Sequence, residues 1–63
     1  MTLDEIKYYK RRLSGYIVEF NRDAAMDKNA DPRRTEKVLN LLVEADTQLY
    51  IMEAEAKAYK SNG

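Results

Sequence analysis

An all-α fold, an antiparallel two-helix hairpin dimerising into a four-helix bundle, is what three features of this 63-residue chain predict. Its apolar residues recur at alternating steps of three and four, which keeps them on one side of a helix. Strong helix formers dominate a composition with two glycines and one proline. Turn-forming residues gather at one place near the middle, residues 27–32, and no stretch alternates as a strand does. Together they define a single domain over residues 1–63, with helix 1 at about 3–26, a turn at 27–31 and helix 2 at about 32–60.

Helix 1 begins at a capping box. Thr2 followed three residues later by Glu5 allows the hydroxyl to accept from the Glu5 amide and the carboxylate to accept from the Thr2 amide. Asp4 and Glu5 then meet the positive end of the helix dipole. Leu3, Ile6, Tyr9, Leu13, Tyr16, Ile17, Phe20 and Ala24 form one apolar face, interrupted by Lys10. Gly15 lies on the far side, and the helix is expected to run through it at a cost of about 1 kcal/mol against alanine. In the turn, Asn29 suits a left-handed C-terminal position, and Asp31 before Pro32 suits an N-cap followed by proline at the first helical position. Arg33 and Arg34 in the first turn of helix 2 oppose its dipole, which predicts partners for them elsewhere.

Helix 2 carries two apolar sets. Val38, Leu42, Ala45, Leu49, Met52, Ala56 and Tyr59 follow the three-four alternation of a bundle seam. Leu39, Val43, Tyr50 and Ala54 lie on nearly the opposite side at 100° per residue. Glu44, Glu55 and Lys37 are expected on one flank, and Asp46, Glu53 and Lys60 on the other. So short a turn forces the helices antiparallel, leaving the second set, Leu39, Val43, Tyr50 and Ala54, as the expected oligomer or partner interface. Counting back from the turn puts Lys10 near Leu49 and Met52, within reach of Glu53. Its stem can lie along the seam while the ammonium reaches the edge. Replacing it with leucine is expected to raise stability while loosening register.

Composition narrows the function classes. A core of this size supplies roughly 3 to 5 kcal/mol unaided, and the chain has no cysteine for a disulfide and no histidine for a zinc site. Self-association, most simply as a homodimer, is the remaining supplement. Without cysteine or histidine the usual nucleophile and general base are missing, so the chain reads as non-enzymatic, with no metal and no cofactor. Eleven basic and eleven acidic residues cancel, which disfavours a nucleic-acid coat. No apolar run approaches a membrane span, and the first residues lack the pattern of a signal peptide. The chain therefore reads as a cytoplasmic small regulator, of bacterial or phage type, that binds a protein partner.

Two alternatives rest on particular residues. Lys7, Tyr8, Arg11, Arg12 and Arg22 put cations and an aromatic ring on the outer side of helix 1, an arrangement able to contact phosphates and stack on bases. It is similar to the use of one helix face by RNA-binding hairpins of the repressor-of-primer kind. Separately, residues 38–46 carry Glu44 and Asp46 at the spacing of the Glu and Asp in the Ser-Gln-Glu-Leu-Asp motif of the sporulation aspartyl-phosphate phosphatases. The likeness covers about a dozen residues and resembles the second helix of those hairpins, with Leu42 and Val43 in place of the polar pair. It implies a regulator docking on a phosphorylated response regulator, with Asp46 near the phosphoryl group.

Overall fold

The computed structural model describes the backbone of residues 1–62 and side chains as far as Tyr59, and consists of two helices, α1 (Leu3–Met26) and α2 (Pro32–Asn62). The ends of α1 are set locally. Thr2 is extended, its Oγ1 accepts from the Glu5 amide at 3.2 Å, and its own amide donates to Glu5 Oε1 at 2.8 Å, completing the capping box. α1 passes through Gly15 without interruption.

Asp27 and Asp31 make the turn between them. Asp27 is extended and caps α1, its amide donating to the Ala24 carbonyl at 3.3 Å. Its side chain accepts from the Asn29 amide at 2.9 Å and its carbonyl from the Ala30 amide at 3.3 Å. This Asx turn replaces the left-handed Asn29 expected from the sequence: among the described residues none has positive φ. The side chain of Asp27 already supplies the chain reversal that a left-handed residue would have provided. Asp31 opens α2 as expected, Oδ1 accepting from the Arg33 amide at 3.0 Å and the carbonyl from the Thr35 amide at 2.9 Å. α2 runs two residues past the expected Lys60, and the fraying expected at residues 61–63 extends outside the described residues.

The helices lie side by side as a rod 52 × 17 × 12 Å. Ile6, 2% exposed, is the one buried apolar side chain among the described residues. Along the rest of the interface Leu3, Leu13, Ile17, Phe20 and Ala24 of α1 and Leu39, Leu42, Leu49 and Ala56 of α2 are partly covered. The seam of α2 is rotated from the expected one by roughly half of the 100° between successive residues. Leu42, Leu49 and Ala56 are shared, but Val38, Ala45, Met52 and Tyr59 are exposed, while Leu39, Asp46 and Glu53 turn inward. Asp46 and Glu53 are thus seam residues rather than flank residues. There Lys10 enters the seam from α1 and pairs with Glu53 at 2.8 Å.

Gly15 is exposed, helical and has open space where a β-carbon would stand. Gly15→Ala is therefore expected to stabilise the hairpin by about 1 kcal/mol. For a domain of this size that raises the melting temperature by about 4–8 °C, measurable by circular dichroism.

Candidate interaction groove

The two sides of the hairpin differ in chemistry. On one, Lys10 Nζ donates to Glu53 Oε1 at 2.8 Å and sits 3.5 Å from the centre of the Tyr50 ring. The two charged side chains are 16% and 14% exposed, and Lys57 Nζ approaches the same carboxylate oxygen at 3.9 Å. Hydrogen bonding to Lys10 holds the Glu53 carboxyl below its ordinary range, and hydrogen bonding to Glu53 pushes the Lys10 ammonium above its own. Asp46 Oδ1 is buried about two turns away, with no hydrogen-bond partner among the described residues. Its charge adds to the field favouring the ammonium on Lys10.

On the other side the helices part into an open apolar groove of about 680 Å³. Tyr9, Leu13 and Tyr16 of α1 form one wall and Ala45, Gln48 and Leu49 of α2 the other, with Arg12 at the rim. Val38, Leu41 and Met52 continue the α2 wall, since they lie seven, four and seven residues from Ala45 along the same strip. Arg12 is held in place at the rim. Its guanidinium donates to Tyr16 Oη at 2.8 Å and to Tyr8 Oη at 3.0 Å, and these two phenols raise its pKa. Tyr8 in turn meets the Tyr9 ring edge-on at 5.4 Å.

The residues singled out from the sequence are divided among these regions. Of the expected interface set, Leu39 is partly covered in the seam, Val43 and Ala54 are exposed on the Lys10 side, and Tyr50 lies beneath the Lys10 ammonium. The cationic set does not form one surface. Lys7, Arg11 and Arg22 share the outer strip of α1, with Arg22 3.5 Å from Asp23, while Arg12 lies at the groove rim and donates to the exposed Tyr8. Glu44 is exposed and Asp46 faces the seam, so the two carboxylates do not converge. Arg33 and Arg34 are exposed, without side-chain partners among the described residues. Among the described residues no cluster of His, Cys, Asp or Glu could hold a metal ion, and no helix is long and apolar enough to cross a membrane.

Sequence periodicity alone missed the groove, because it placed Ala45 and Met52 inside the seam. The sequence pairs Lys10 with Glu53 but leaves Glu53 on the flank; in the structure Glu53 lies in the seam and Ala45 is exposed beside it. No protein-family model, curated protein or solved structure matches the chain.

The ion pair changes the expectation for Lys10. Lys10→Leu strips the ammonium from a half-buried carboxylate and from the Tyr50 ring, so it is expected to lower the melting temperature. Lys10→Leu with Glu53→Leu should recover it, because the unpaired charge leaves with its partner. The sign with pH follows from the same pair. The depressed Glu53 contributes stability that is complete above its ordinary value of 4.5 and lost as acid titrates the folded carboxyl. The raised Lys10 contributes stability that is complete below 10.5 and lost at more alkaline pH. Thermal melts between pH 6 and pH 3 should fall less steeply in Glu53→Gln than in the parent. A residual acid loss should remain, since Glu5 is also depressed by its hydrogen bonds with Thr2.

Proposed function

We propose that this hairpin is a non-enzymatic interaction module that self-associates, most simply as a homodimer, and acts by binding a protein partner through its helix faces. One observation carries this reading: the surface left uncovered. The chain exposes 5409 Å², against about 4,200 Å² for a compact monomer of this mass. Its radius of gyration is 14.9 Å, where a compact chain of this length has about 11 Å. The excess is larger than the roughly 800 Å² that one partner contributes to a standard interface. Two flanks with exposed apolar residues are available for such an interface, the Val43, Tyr50 and Ala54 side and the Tyr9, Tyr16 and Ala45 groove. Lack of cysteine and histidine and the separation of Glu44 from Asp46 support a binding role over catalysis. A cysteine-free chain also suits a reducing compartment such as the cytoplasm.

Sedimentation equilibrium at micromolar concentration is expected to give a multiple of the 7.4 kDa chain mass, with a melting temperature that climbs as concentration is raised. A monomeric mass together with a cooperative, concentration-independent melt would overturn the reading.

A further inference from the structure

Building on this self-association, we infer that the groove between Tyr9, Leu13 and Tyr16 of α1 and Ala45, Gln48 and Leu49 of α2 is the face covered by a second copy of this chain, leaving the Val43 side outside the dimer. The first reason is that a four-helix bundle needs both helices of each hairpin to contribute apolar surface. The groove side offers more of it, since on the other side the one large exposed apolar residue of α1 is Val18. Tyr9 and Tyr16 are 45% and 50% exposed on α1, and Leu41, Ala45 and Met52 are exposed on α2. On the Val43 side, α1 presents Lys7, Ser14 and Asn21, all exposed and spaced seven apart. There α2 presents Val43 and Ala54 beside a Tyr50 ring already capped by an ammonium.

The second reason is charge. A face that meets its own copy must not repel itself. The groove's walls are apolar or neutral, its one rim cation, Arg12, is held between two phenols, and the chain carries no net charge. Glu5 and Glu55, and Arg34 and Lys37, lie towards the two ends of this side by helical spacing, so neither sign prevails along it. Tyrosine and arginine around an apolar centre are also the residue types enriched at protein interfaces. The third reason is obligate need. With Ile6 the one buried apolar side chain among the described residues, the hairpin requires a cover whenever it is folded, and its own copy is the partner present wherever the chain is made.

Charged substitutions on the two sides test the assignment. Ala45 and Val43 are both exposed in the single hairpin, so glutamate at either leaves the hairpin's own seam intact. Ala45→Glu is expected to weaken dimerisation roughly 100-fold or more, as an unpaired charge closed inside an interface does. Val43→Glu should change it by no more than a few-fold. Because the chain has no cysteine, a second measurement avoids disruptive variants. Gln48→Cys and Val43→Cys proteins are treated with a maleimide across a concentration range. Gln48→Cys should become protected, at least tenfold slower to react, as the dimer forms, and Val43→Cys should not. Protection at Val43 with free reaction at Gln48, or dissociation by Val43→Glu alone, would overturn the face assignment while leaving self-association standing. A parent chain that stays monomeric throughout would overturn both.

Discussion

The ion pair between Lys10 and Glu53 decides how α2 is rotated against α1, and most of the surface chemistry follows from that rotation. A lysine on the inner face of α1 can lay its stem along the seam, but its ammonium is best satisfied where a carboxylate meets it. Turning α2 to bring Glu53 to 2.8 Å satisfies the charge. It also carries Asp46, seven residues earlier, into the seam and moves Ala45 and Met52 out of it. The chain thereby gives up apolar burial within the hairpin and gains an apolar face outside it. A polar seam of this kind contributes little net stability but can specify one rotation.

Local chemistry was legible in the sequence to the extent that it acts over three or four residues. Thr2 with Glu5, and Asp31 with Pro32, name the starts of both helices because capping depends only on near neighbours. Even the contact of Lys10 with Glu53 could be reached by counting back from the turn. What the periodicity did not settle was which of two overlapping three-four alternations in α2 faces α1. Both contain Leu42, Leu49 and Ala56. They differ in whether Ala45 and Met52 or Asp46 and Glu53 complete the set, and hydrophobicity favours the former. A charge on the opposing helix reverses the choice, which is a tertiary effect that no window along α2 alone contains. The left-handed Asn29 failed for a different reason. An aspartate two residues before it forms an Asx turn that closes the loop with ordinary backbone angles.

The stability of the fold and its proposed function converge on the same surface. A single layer of two helices has no second layer against which to bury its apolar stripes, and among the described residues Ile6 is the one apolar side chain that is buried. The side chains that would seat a partner are therefore the ones the hairpin needs covered to be stable. Arg12, fixed by Tyr8 and Tyr16 at the groove rim, illustrates preorganisation in such a setting. Its entropy is largely lost before any partner arrives, which lowers the cost of binding.

The turn formed by Asp27 and Asp31 has a consequence for how quickly the chain reaches its folded shape. Every device in it acts between residues at most four apart, and both helix starts are likewise specified by near neighbours. Contacts between the helices then spread outward from the turn, with no long loop to close before the first ones form. Such low contact order belongs to chains that fold on the microsecond to millisecond scale. Encounter between two copies, by contrast, proceeds at a rate proportional to concentration. At low cellular abundance that encounter, rather than chain folding, would set how soon the proposed dimer appears.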